Sequence, residues 1–100
     1  MIELNSGQRK YLRGLAHHLE PAVIVGKQGV TDSLVASVEK SLRAHELIKV
    51  RFNDHKPEKK ELTANIAELT GAQVAGIVGH VAILYREHED KEKRTIRLPN

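Results

Sequence analysis

The chain contains no cysteine and no tryptophan, and its only aromatics are Tyr11, Phe52 and Tyr85. Lack of cysteine excludes a disulfide framework and any thiolate metal site. So few aromatics exclude a broad platform for stacking nucleic-acid bases. No apolar run approaches the roughly 20 residues of a membrane span. The opening residues Asn5, Ser6 and Gly7 are polar, unlike a signal peptide. A soluble, cytoplasmic chain with no membrane association is the expectation.

Signatures of chemistry are missing too. There is no Walker A loop, no His-Glu-x-x-His pair and no nucleophile elbow. Histidines 17, 18, 45, 55, 80 and 88 are scattered, and none are paired at a helical i, i+4 spacing. His80, beside Gly79 in a turn, could contact a nucleic acid or serve the turn alone. Glu58, Glu61 and Glu68 lie among Lys59 and Lys60, where salt bridging and solubility explain them. The expectation is a protein that is not an enzyme and needs no metal or other cofactor.

What is present is an ordinary globular balance over 100 residues, 40% hydrophobic and 29% charged. That length makes one domain, which buries roughly two thirds of its surface on folding. The net charge is +3. Its distribution says more than its size. Residues 1–30 carry Arg9, Lys10, Arg13 and Lys27 against only Glu3 and Glu20, and no acid lies between Gly7 and Leu19.

Periodicity predicts seven elements. Ser6 is a candidate N-cap for a first helix, with Leu12, Leu15, Ala16 and Leu19 on one stripe and Lys10, Arg13 and His17 opposite. Pro21 stops it. Ala22–Val25 reads as a short buried strand. Thr31 caps a second helix with Leu34, Val35, Val38 and Leu42 inward and Lys40 and Arg43 outward. Leu47–Phe52 alternates as a strand, with Ile48, Val50 and Phe52 on one face and Lys49 and Arg51 on the other. Pro57 opens a third helix with Leu62, Ile66 and Leu69 inward, and Gly71 ends it. Val74–Val78 and Val81–Arg86 form a hairpin around Gly79-His80. The order α-β-α-β-α-β-β implies a mixed sheet, with parallel pairs from the crossovers and an antiparallel pair from the hairpin. Residues 87–100 read as a charged tail, ordered at most around Thr95–Leu98.

One loop stands out. Gly26-Lys27-Gln28-Gly29 joins the first strand to the second helix. Glycines let an anion approach the backbone, the helix end offers unpaired N–H groups, and Lys27 adds a point charge. A phosphate fits that chemistry, although strand-to-helix turns are also glycine-rich for steric reasons, and Asp32 in the first helical turn tempers an anion. The acid-free cluster Arg9, Lys10, Arg13 and His17 supplies a basic neighbour.

The residues Gly7-Gln8-Arg9, Leu12-Arg13-Gly14-Leu15-Ala16-His17 and Pro21–Thr31, followed by His45–Val50, Leu69–Ala72 and Val81–Arg86, together resemble the bacterial YhbY family of stand-alone CRM domains. The likeness covers residues 4–86. It implies a four-stranded mixed sheet with helices, similar to the C-terminal domain of translation initiation factor three. It also implies RNA binding through the Gly-x-x-Gly loop and adjacent basic surface, and association with precursors of the large ribosomal subunit. Plant relatives with several such domains assist intron splicing. The expected arrangement is thus an RNA-binding α/β domain over residues 1–86 with a tail at 87–100, acting as a monomer in ribosome assembly. Gly26, Lys27, Gln28 and Gly29 hold a phosphate, Arg9, Lys10, Arg13 and Lys27 form an electrostatic floor, and Lys40, Arg43 and Arg51 are lesser candidates on neighbouring elements. The alternative is a module that docks on ribosomal particles through protein contacts.

Overall fold

A computed structural model describes residues 3–99; the outermost residues of the expected domain and tail, 1, 2 and 100, lie outside the described residues. The elements are α1 (Ser6–Ala16), β1 (Val23–Val25), α2 (Asp32–His45), β2 (Leu47–Phe52), α3 (Lys59–Thr70), β3 (Gln73–Val78) and β4 (Val81–Tyr85). Short 3-10 turns occupy Lys56–Glu58 and Lys91–Lys93. The order is the one periodicity predicts.

The four strands form one sheet in the order β1-β2-β4-β3. β1 pairs with β2 in parallel, whereas β4 is antiparallel to both β2 and β3. Only one adjacent pair is parallel, because β4 is inserted between β2 and β3. Helices cover both faces. α2 and α3 bury Val38, Leu42, Ile66 and Ala67 against Val23, Val25, Ile48, Val50, Phe52, Ala82 and Leu84. On the other face α1 buries Leu12 and Ala16 against Leu47, Ala75, Ile83 and Tyr85, with Leu4 beside them. Fully burying side chains of this size contributes about 1.5–3 kcal/mol each before entropy is counted.

Several local expectations are corrected. The cap of α1 is Asn5, not Ser6: its side chain accepts from the Gln8 N–H at 2.8 Å while Gln8 reaches back to the Asn5 N–H at 3.0 Å, a capping box. α1 ends at Ala16, well short of Pro21, which leaves Leu19 outside the helix and 39% exposed; Leu15, within α1, is 40% exposed. β1 is an edge strand buried on one face only, and Ile24 stands out on the other. Pro57 sits in the 3-10 turn, and α3 begins at Lys59. Leu69 is 65% exposed; the inward face of α3 is Thr63, Ile66, Ala67 and Thr70, with Leu62 partly buried against the core as expected. Thr31 caps α2 by accepting from Leu34 N–H, and Gly71 ends α3 at φ 69°.

Beyond β4 the chain folds back across the body. Glu46, only 2% exposed, accepts hydrogen bonds from the N–H groups of His88 at 2.7 Å and Thr95 at 2.8 Å. Ile96 and Leu98 pack against the α1 side of the core.

Candidate nucleic-acid interface

Parallel pairing of β1 with β2 places the loops that follow both strands at one end of the sheet. The turn between β3 and β4 reaches the same end, since Phe52 N–H donates to the His80 carbonyl at 2.8 Å. Asn53 and Asp54 N–H groups both donate to the Val25 carbonyl, at 3.1 and 3.3 Å, which folds the β2 exit over the β1 exit.

Gly26–Gly29 is a tight turn closed by Gly29 N–H donating to the Gly26 carbonyl at 3.0 Å. Gly29 lies at φ 70°, a conformation that L side chains rarely adopt. Lys27 and Gln28 occupy the exposed tip. His55, itself left-handed at φ 58°, donates from Nε2 to the Lys27 carbonyl at 2.7 Å. The turn is therefore braced from the β2–α3 segment.

That segment brings cations. Lys59 Nζ donates to the Gly79 carbonyl and, at 3.2 Å, to His80 Nδ1. As an acceptor His80 is neutral. Its pKa lies below the ordinary histidine value, through local desolvation first and then through the positive charges of Lys59, Lys56 and Arg51. Three cations from β2, the 3-10 turn and α3 thus act on one ring, beside the turn that carries Lys27. Among the described residues the ion pairs are Arg43–Glu39, Arg86–Glu39 and Arg94–Glu87, so none neutralises Lys27, Arg51, Lys56 or Lys59.

The expected basic floor lies elsewhere. α1 packs on β3, β4 and the first half of β2, on the face opposite α2. Arg13 of α1 reaches β3, three strand spacings or about 14 Å across the sheet from β1. Arg13 Nη1 donates to the Ala75 carbonyl at 2.8 Å, and its stem lies so close over Gly76 that a Cβ there would meet Arg13 Cδ at 2.6 Å. Arg9 donates to the Leu4 carbonyl at 2.6 Å. Lys10 is exposed. On α2, Lys40 and Arg43 stand about 12 and 16 Å along the helix from its first residue, and Arg43 pairs with Glu39 at 3.5 Å. Of the expected site residues, the structure brings together Gly26, Lys27, Gln28, Gly29 and Arg51. The sequence reading missed His55, Lys56 and Lys59. The signal available was a lysine run following a strand that pairs in parallel with the loop's own strand.

Comparison with known proteins identifies the family. The CRS1 / YhbY (CRM) domain model matches residues 4–86. A protein of Haemophilus influenzae named RNA-binding protein is 42% identical, the match covering 99% of this chain and 98% of that one. "Probable RNA-binding protein YqeI" of Bacillus subtilis is 34% identical over 96% of this chain and 99% of its own. The solution structure of SAV1595 from Staphylococcus aureus superposes with a TM-score of 0.80 at 31% identity, covering 96% of this chain and 99% of that one. The chain belongs to the CRS1/YhbY family of CRM domains.

Proposed function

We propose that this chain is a non-enzymatic RNA-binding protein that holds the RNA backbone at the end of the sheet where the Gly26–Gly29 turn lies. The observation that carries the reading is the convergence of Lys27, Arg51, Lys56 and Lys59 on that end with no ion-pair partner among the described residues. Backbone N–H groups of a glycine turn and a helix N-terminus complement phosphate oxygens, and lysines supply the long-range attraction. The names of the Haemophilus and Bacillus relatives support RNA as the partner. Lys10 is exposed on α1, away from this end, while Arg9 and Arg13 are bound to the Leu4 and Ala75 carbonyls and serve the fold.

The family likeness extends the proposal to precursors of the large ribosomal subunit, bound by a monomer in the cytoplasm during assembly. Among the described residues no helix is long and apolar enough to cross a membrane. The alternative, docking through protein contacts, would use the exposed Leu15 and Leu19. Filter binding of structured ribosomal RNA separates the two readings. Replacing Lys27 and Gln28 with aspartates sets like charge against a phosphate and abolishes tight binding if the RNA reading holds. Unchanged affinity in the folded double variant removes the turn from the site.

A further inference from the structure

α1 does not cover the whole of its face of the sheet. The rungs formed by Leu47 with Tyr85 and by Lys49 with Ile83 lie beneath it, and Lys49 Nζ donates to the carbonyls of His17 and Leu19. The last rung that joins all four strands lies beyond α1. It crosses all four strands in register: Ile24 beside Arg51, Arg51 beside Val81, Val81 beside Val78. All four side chains point to the α1 side, because their neighbours Val23, Val25, Val50, Phe52 and Ala82 fill the opposite core. Ile24 is 53% exposed and Val78 is 59% exposed.

This strip adjoins the cationic loops directly. Gly26 follows Ile24 by two residues, and Gly79-His80 joins Val78 to Val81. Arg51 stands within the strip itself. We infer that the strip Ile24–Arg51–Val81–Val78 is a seat for unpaired RNA bases whose phosphates lie on the Lys27 turn. The inference rests on the proposed phosphate site and adds the class of RNA, unpaired strand rather than duplex.

The chemistry selects that occupant. An anionic partner is required by Lys27, Arg51, Lys56 and Lys59, and a flat apolar surface is required to cover Ile24 and Val78. Unpaired nucleotides combine both, whereas a duplex keeps its base faces stacked and presents phosphates and grooves. A guanidinium such as that of Arg51 stacks on any base, and β-branched side chains make a flat support. The strip spans roughly 14 Å from β1 to β3, room for about two bases laid flat. Without aromatic rings or side-chain amides in the strip, such a seat tolerates any base.

The test compares a short oligouridylate with an RNA duplex of equal length, each titrated at two salt concentrations. The variant is Ile24→Thr with Val78→Thr, which keeps β-branched side chains in both strands and disturbs no core residue. The two single variants stand in should the double variant not fold. The expected result is a loss of about three- to tenfold in oligouridylate affinity, with duplex affinity and salt slope unchanged. Oligouridylate affinity equal to that of the wild type, or an equal loss on both RNAs, overturns the seat. Lys27→Asp with Gln28→Asp is measured alongside and lowers affinity for both RNAs. If that variant binds both as the wild type does, the phosphate site fails and the seat fails with it. If it weakens both while the threonine variants change nothing, the seat alone fails.

Discussion

His55 Nε2 and the Lys27 carbonyl are 2.7 Å apart, and this hydrogen bond joins the turn after β1 to the segment after β2. Both partners sit in loops that the parallel pairing of β1 with β2 brings to one end of the sheet. The contact fixes the Lys27 backbone at the tip of the turn and packs the imidazole against Gly29, where an added Cβ would lie 3.4 Å from Nε2.

His55→Asn removes the reach of the ring while keeping a residue that tolerates positive φ. The loss of one hydrogen bond of about 1 kcal/mol loosens the turn and lowers RNA affinity about fivefold. The melting temperature moves little. RNA titration beside a thermal melt measures both effects.

Arg13 is expected to behave in the opposite way. Its guanidinium is bound to the Ala75 carbonyl and its stem covers Gly76, at the irregularity in β3 between Val74 and Gly76. Arg13→Ala costs about 1–2 kcal/mol of stability through lost packing and an unpaired carbonyl. The salt dependence of RNA binding stays as in the wild type. Urea denaturation and salt titration of the same preparation separate the roles.

Glu46 ties the C-terminal segment to the body and gives stability a pH dependence. Burial raises its pKa, but N–H donors from His88, Thr95 and Ile96 and the Thr95 hydroxyl outweigh that and hold it below the ordinary value of 4.5. A depressed carboxyl stabilises the fold fully above the unfolded value and ceases to do so as pH falls through the folded one. Stability to urea therefore declines as pH drops below about 4.5, and Glu46→Gln flattens that part of the decline. In the same variant the amides of His88 and Thr95 exchange faster with solvent at neutral pH.

Tyr85 is 1% exposed, and its hydroxyl has no hydrogen-bond partner among the described residues. Burial, with the charges of Glu46 and Glu87 against that of Arg94, pushes its pKa up to about 12. Tyr85→Phe removes an unsatisfied polar group and leaves the ring in place. It is neutral or stabilising by up to about 1 kcal/mol, as read from the urea midpoint.

Local signals were legible in the sequence. Thr31 before an amphipathic run, Gly71 after one, and Gly79-His80 between two apolar runs each mark a boundary through chemistry within a few residues. Strand order was not legible. It depends on pairing between residues far apart, and β4 inserting beside β2 is what sends α1 to the β3 edge. Arg13, read as an exposed cation from its helical position, became a half-buried clasp on Ala75 for that reason. The same long-range pairing made His55, Lys56 and Lys59 neighbours of Lys27, although they are remote from it in the chain. The turn itself was found because its glycines, its lysine and its place between strand and helix are all local.

The salt dependence of RNA binding tests recognition at the loop end most directly. The logarithm of affinity falls linearly with the logarithm of salt concentration, and each cation lost from a phosphate contact reduces the slope by about one. For Lys27→Ala, Arg51→Ala and Lys56→Ala combined, the slope is expected to fall by about three, while Lys10→Ala leaves it unchanged. An unchanged slope in the triple variant, with a reduced slope in Lys10→Ala, would place the RNA on α1 and contradict recognition at the Gly26–Gly29 end.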